Sequence, residues 1–282
     1  MTKHKLKHFD DMRVQPGKAV DLSKYKTDHT HGVPENPTLA TEALTQRLGT
    51  LQENLYAEGR RSLLVVLQGL DAAGKDGTVR HVFDHVNPTG IQVTSFKQPT
   101  TEELSHDFLW RCHKKTPPRG YIGVFNRSHY EDVLVVRVHA DKLLAPELRE
   151  HAAKEWKRRY EMIAAFEQIL ANAGTRVAKF FLHISKDEQR HRFIARQKDP
   201  ARHWKLAEGD FEERKFWSDY QHAYEQMLPA TSTKDSPWYI IPSDHKKARD
   251  FYIASILVAI LREMNPQPPK LANPELVHRK FK

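Results

Sequence analysis

Short apolar runs alternate with stretches of helical spacing along most of this chain. Ser62–Leu67 (SLLVVL), Ile91–Phe96, Gly120–Phe125 (GYIGVF), Val177–Ile184 (VAKFFLHI) and Trp238–Ile241 (WYII) read as five strands. They are brief, rich in β-branched and aromatic residues, and bounded by turn residues. Residues 39–58 place Leu44, Leu48, Leu51 and Leu55 on one helical face, and 147–171 does the same with Trp156, Tyr160, Ile163 and Phe166. Further helices are expected over 78–86, 101–114, 186–197, 210–228 and 243–264. Thr100-x-x-Glu103 and Ser185-x-x-Glu188 carry the spacing of capping boxes that open two of them. Strands alternating with helices imply βαβ crossovers and a parallel sheet covered on both faces. Ligands of such sheets bind at the carboxyl ends of the strands. The expected organisation is an irregular arm over 1–38, one α/β domain over 39–264, and a Pro-rich tail over 265–282.

One junction between a strand and a helix carries a chemical signal. The first strand runs into Gly69-Leu-Asp71-Ala72-Ala73-Gly74-Lys75-Asp76-Gly77, and a helix follows. Two glycines separated by four residues, with a lysine directly after the second, have the spacing of a phosphate-binding loop. Glycines let backbone N–H groups curl toward an anion. The helix start adds unpaired donors and the positive end of its dipole. Lys75 supplies a mobile point charge. The Ser or Thr that usually follows the lysine is here Asp76, and a second carboxylate, Asp71, sits inside the loop. A carboxylate beside phosphates calls for a cation between them, so Asp71 is a candidate metal ligand. A plain Gly-rich turn with a surface lysine is the alternative.

The third and fourth strands end in polar residues that should meet the same cleft. After the third comes Asn126-Arg127-Ser128-His129-Tyr130-Glu131-Asp132. Arg127 can fork onto phosphate oxygens. Asn126 could hold a phosphate or a metal-bound water, and Glu131 and Asp132 could add metal contacts. A lone His129 near a carboxylate does not make a zinc site. After the fourth strand, residues 186–205 hold seven Lys or Arg against three Asp or Glu. Arg192 and Arg196 share a helix face, and a basic segment here could fold over bound phosphates. Arg80, Lys97, Arg111 and His113 could line a groove for a long anion.

Composition narrows the partners. The formal net charge is +9 over 282 residues, with 45 Lys and Arg against 36 Asp and Glu. Such a field favours polyanions, either nucleic acid or a phosphate-rich substrate. The single cysteine, Cys112, excludes an internal disulfide and fits a reducing compartment. The longest apolar run, Tyr252–Leu261, is too short to span a bilayer, and the basic N-terminus lacks an apolar signal segment, so a cytoplasmic, membrane-free protein is expected. No helix-turn-helix, zinc finger or aromatic stacking motif supports a nucleic-acid-binding protein.

GLDAAGKDG, VNPTGIQVTSFKQPTTEELSHDFLWRCH, GVFNRSHYEDVLVVRVH and PWYIIPSDHKKARD together resemble the family-two polyphosphate kinases, over nearly the whole chain. The resemblance implies a P-loop kinase fold similar to thymidylate kinase, with a helical lid at about 186–215. It implies transfer of phosphoryl groups between inorganic polyphosphate and AMP, ADP or ATP, with guanine nucleotides as further acceptors. Magnesium, or manganese in its place, is the implied cofactor, and a homodimer or homotetramer the implied assembly. Carried onto this sequence, Asp71, Lys75 and Arg127 are the catalytic residues. Gly69, Ala72, Ala73, Gly74, Asp76, Gly77, Asn126 and Glu131 complete the phosphate and nucleotide site, with Asp71 and Asp132 on the metal and Arg192, Arg196 and Lys198 in the lid. Many members have Asp where this chain has Asn126. The Asn-Arg-Ser-x-Tyr-Glu-Asp form is similar to the subgroup that accepts both AMP and ADP. An ATP-dependent nucleoside monophosphate kinase on the same fold is the other enzyme reading.

Overall fold

The computed structural model describes residues 6–280. Five strands form one parallel sheet: β1 (Ser62–Gln68), β2 (Ile91–Ser95), β3 (Ile122–Asn126), β4 (Thr175–His183) and β5 (Trp238–Pro242), in the order β2-β3-β1-β4-β5. A parallel five-stranded sheet with a glycine-rich loop leading from its central strand into a helix is the frame of a P-loop kinase. All five expected strands are present. The connection leaving β1 leads to one edge of the sheet, and β4 and β5 build the other. The carboxyl end of β1, between β3 and β4, is therefore the topological switch point, where an open α/β sheet offers a crevice.

Side chains leave β1 alternately to two cores. Leu63, Val65 and Leu67 pack under α1 (Pro37–Glu58), α2 (Lys75–Val82) and α12 (Lys246–Met264). Leu64 and Val66 pack under α5 (Glu131–Val138), α8 (Ala152–Asn172) and α11 (Trp217–Thr231). Period-two alternation thus fills both faces, which is why the strands read as continuous apolar runs. The Asn36 side chain caps α1, Pro37 occupies its first turn, and Gly59 closes it in the left-handed conformation. The arm is not free of the body. Val14 and Leu22 are buried, and Val14 N donates to Trp238 O at 2.9 Å.

Several boundaries differ from those expected. The helix expected over 101–114 is two single turns, α3 (Thr101–Leu104) and α4 (Trp110–His113), because Asp107 accepts from Leu109 N at 2.9 Å and restarts the chain. The helix expected from 147 begins at Ala152, after single turns α6 (Ala140–Leu143) and α7 (Pro146–Arg149). Residues 208–231 hold α10 (Glu208–Glu213) and α11, separated by a 3₁₀ turn. Helix α5 was not in the pattern: Glu131–Val138 (EDVLVVRV) is β-branched, yet Val133 and Leu134 bury a helical face. The chain continues from β4 into α9 (Lys186–Lys198), capped by Ser185 as its spacing suggested.

A fully buried ion pair links β4 to α8. Lys179 of β4 and Glu167 of α8 are 0% and 1% exposed, and their charged atoms are 2.5 Å apart. Lys179 also donates to Thr231 O at 2.7 Å and Tyr130 Oη at 3.0 Å. Lys179→Met should cost about 3–5 kcal/mol, because it strands a buried carboxylate. The Lys179→Met/Glu167→Leu double variant should recover part of that loss, and denaturant midpoints of the three proteins measure both effects.

Candidate functional site

The loop between β1 and α2 is shaped from beneath. A Cβ on Gly69 would lie 2.9 Å from Leu182 O, and one on Gly74, whose φ is +111°, would lie 1.8 Å from an Arg249 nitrogen. No other residue fits at either position. The loop's carbonyls are all engaged. Gly69 O and Leu70 O accept from Lys75 Nζ at 2.5 and 3.3 Å. Asp71 O accepts from Gln189 at 2.9 Å. Ala72 O and Ala73 O accept from Arg192 at 2.9 and 3.0 Å, and Ala73 O also from Arg249 at 3.3 Å. With carbonyls turned inward, the opening amides of α2 have no helical partner and are available to an anion.

Two carboxylate–arginine contacts meet at the switch point, one of which crosses between segments. Arg127, directly after β3, donates to Asp71 at 2.5 Å and to Glu131 at 3.1 Å. Its φ is +63°, an uncommon conformation for a residue with a Cβ. Burial opposes its charge, but Glu131 and Asp71 outweigh that and raise its pKa. Lys75 lies nearby, 8% exposed. Burial, followed by the charge of Arg127, brings its ammonium down to about 8. Asn126 donates to Asp76 at 2.7 Å, and Lys205, from the turn after α9, approaches Asp76 at 3.1 Å.

A cleft opens above these residues, between the loop, α5, α9, α10 and α11. Its walls include Leu134, Val135, Trp217, Tyr220 and Tyr224. Its charged lining is Asp71, Glu131, Asp210 and Glu213 against Arg127 and Arg214. Burial first, then the charge of Asp71, raises the Asp210 pKa.

The expected site residues do not all meet here. Gly69, Asp71, Ala72, Ala73, Gly74, Lys75, Asp76 and Gly77 share one loop and helix start, and Asn126, Arg127 and Glu131 face them. Asp132, expected beside Asp71 on the metal, does not line the cleft with it. It turns toward α8, where Arg159 lies 3.8 Å away, and burial pushes its pKa up to about 6. One helical position separates it from Glu131, enough to aim the side chain elsewhere. Arg192 does not face the cleft either: it is 7% exposed, and beyond the loop carbonyls it donates to Ser243 O and Asp244 O. Arg196 pairs loosely with Asp210 at 3.8 Å, and Lys198 is exposed. Arg111 donates to Lys97 O at 2.8 Å, which brings those two together. Arg80 is exposed on α2, and His113 packs on Phe166. Sequence reading missed Gln189, Lys205, Asp210, Glu213 and Arg249, whose roles arise only from tertiary contacts.

Among the described residues, no three His, Cys, Asp or Glu side chains are grouped to hold a metal ion unaided. Magnesium usually takes only one or two carboxylates, with phosphate oxygens and waters filling its octahedron. Asp71, 29% exposed at the cleft, and Glu131 beside it fit that requirement. Nor is any described helix long and apolar enough to cross a membrane.

Comparison with known proteins gives consistent matches. The family model of polyphosphate kinase 2 matches residues 35–269. The AMP/ADP-polyphosphate phosphotransferase of Meiothermus ruber is 48% identical, over 92% of this chain and 94% of its own. The ADP-polyphosphate phosphotransferase of Rhodopseudomonas palustris is 45% identical, over 95% and 93%. The crystal structure of polyphosphate kinase 2 from Arthrobacter aurescens TC1 superposes with a TM-score of 0.88 at 40% identity, covering 96% of this chain and 94% of that one.

The Lys75 environment fixes a pH dependence. Below about pH 8 its ammonium is charged in the free protein, and above that value the proton is lost. An anion beside it favours the charged form, so binding above this pH must take up a proton. Affinity for tripolyphosphate, measured by calorimetry, should fall up to about tenfold per unit as pH rises beyond the Lys75 value. Lys75→Arg should remove that fall, since a guanidinium stays charged.

Proposed function

The chain belongs to the polyphosphate kinase 2 family, and we propose that the cleft at the switch point binds polyphosphate and a nucleoside mono- or diphosphate end to end. The protein is a polyphosphate-dependent nucleotide phosphotransferase. The contact of Asp71 and Arg127 across the phosphate loop carries the site assignment: a potential cation ligand and a phosphate fork stand within one hydrogen bond of each other, beside Lys75.

The reaction needs little from the protein beyond alignment and charge. A non-bridging oxygen of the acceptor's terminal phosphate attacks the terminal phosphorus of polyphosphate. A new P–O bond forms, the bridging P–O bond breaks, and the shortened polyphosphate keeps the electron pair. The nucleophile is already anionic, so no strong base is required. In this reading the loop amides hold phosphate oxygens. Lys75 exchanges its bonds to Gly69 O and Leu70 O for the transferred group, and Arg127 forks onto the same charge. Asp71, with Glu131 near it, would hold magnesium, or manganese in its place, and the ion would supply charge neutralisation for the phosphates. The aromatic wall of Trp217, Tyr220 and Tyr224 suits a nucleoside. The segment over about 186–215 serves as the lid, with Arg196, Lys198 and Lys205 as its mobile cations. Arg192 acts beneath the phosphate loop. The relatives' names favour AMP and ADP as acceptors. A further relative, from Mycolicibacterium smegmatis, is named a GDP-polyphosphate phosphotransferase, which extends the expectation to guanine nucleotides.

Purified protein with magnesium and polyphosphate, given AMP or ADP separately, should yield ATP from both, read by chromatography of the products. ATP from ADP alone would overturn the dual-acceptor reading, and dependence on added ATP as donor would overturn polyphosphate as the source. Lys75→Ala should lower turnover by about 10³-fold or more while the melting curve stays cooperative.

Raising salt should weaken polyphosphate binding more steeply than nucleotide binding, because the longer anion releases more counterions. Equal salt slopes would argue against a basic track through Lys97 and Arg111.

A further inference from the structure

Arg127 has a conformation that its own sequence does not favour. A residue with a Cβ at φ +63° persists only where its surroundings over-determine it. Its side-chain partners, Asp71 and Glu131, hold the tip of the side chain, and its backbone N–H donates to Leu67 O of β1 at 3.2 Å. Substrate phosphates would compete for that tip. The bond to Leu67 fixes the entry to the turn, and the exit must be fixed by the residues after Arg127.

The next three residues supply the anchor. Ser128 accepts from Gln68 Nε2 at 3.1 Å, which ties the turn to the last residue of β1, and also from Tyr130 N at 3.3 Å. Tyr130 is fully buried, with its ring edge-on to Trp238 at 4.7 Å. Its hydroxyl donates to Glu167 at 2.7 Å and accepts from Lys179 at 3.0 Å. His129 Nε2 lies 3.5 Å from the same Glu167 oxygen. The turn that carries Arg127 is thus bolted to α8, β4 and α11 through one phenol and one buried ion pair. A burial of this kind is expensive, and an apolar core would serve stability as well.

We propose that Tyr130, together with Glu167 and Lys179, is a positioning residue for Arg127: the buried network fixes the turn, and the turn aims the guanidinium at the transferred phosphoryl group. This rests on the assignment of Arg127 to phosphate in the preceding subsection. Tyr130 does not touch the cleft and is not itself a catalytic residue. Its hydroxyl bonds both members of the ion pair while they also bond each other. Tyr130→Phe therefore keeps the ring and the pair and removes the hydroxyl's link between pair and turn, leaving only His129 at 3.5 Å.

The test is a double-mutant cycle on turnover, with Tyr130→Phe, Arg127→Lys and both together. Tyr130→Phe should lower kcat about tenfold, leave KM for polyphosphate and nucleotide within about twofold, and shift the melting midpoint by only a few degrees. In the Arg127→Lys background, whose residual activity gives a readable rate, the same change should alter kcat less than about twofold, since the fork it positions is gone. Unchanged kcat in Tyr130→Phe, or losses that simply multiply in the double variant, would overturn the positioning role and leave Arg127 on phosphate. Wild-type kcat in Arg127→Lys would overturn the Arg127 assignment itself and the proposal with it.

Discussion

The phosphate loop can present its amides to an anion only because its carbonyls have been taken elsewhere. A loop of five consecutive peptides cannot point donors and acceptors to the same side, and a buried acceptor without a partner is costly. Here Arg192 of α9 and Arg249 of α12 fill that need from beneath, with Gln189 beside them. Their chain segments are far apart in sequence, so the loop's carbonyls are satisfied only once α9 and α12 have both docked. Arg249 is in turn held by Asp250 at 2.7 Å, and Arg192 by Glu188 at the same distance. Gly74 and Gly77 are small for two reasons. The turn needs a positive φ at Gly74, where the Arg249 guanidinium also fills the space of a Cβ, and a Cβ at Gly77 would sit a tight 3.2 Å from the same guanidinium.

Much of this frame was legible in the residues. Strand positions held to within about two residues, because a parallel strand buried on both faces must be a short apolar run, and such runs are easily bounded by glycine and polar turns. The loop was legible because its chemistry is local: Gly69, Gly74 and Lys75 act through spacing along one turn. The rest depended on contacts that spacing does not encode. Helix α5 is written in β-branched residues, and only its packing against α11 and α8 selects the helix. Asp132 looked equivalent to Glu131 in the string, yet a helix turns adjacent side chains about 100° apart, and this sends one to the cleft and the other to Arg159. Arg192 looked like a solvated lid charge, since a basic helix gives no sign of which guanidinium will be buried. Lys179 sat inside an apolar strand string, where its partner Glu167 on α8 could not be seen.

Charge at the cleft runs against charge in the chain as a whole. The protein carries +9, but the cleft sets four carboxylates, Asp71, Glu131, Asp210 and Glu213, against Arg127 and Arg214. A polyanion drawn toward the molecule by its long-range field would meet local repulsion at the reacting end. Under the proposed function, counter-cations would remove that conflict, with the same carboxylates as their ligands. In this reading the separation is functional. Diffuse basic charge raises the encounter rate without fixing a register, while the short-range field at the loop requires phosphate and divalent ion together before either is well held. A wholly basic cleft would bind polyphosphate at any position along its length and hold the product as tightly as the substrate, which lowers KM without raising turnover. Carboxylates that tolerate phosphates only through a shared ion place the binding energy at the junction where the bond is exchanged.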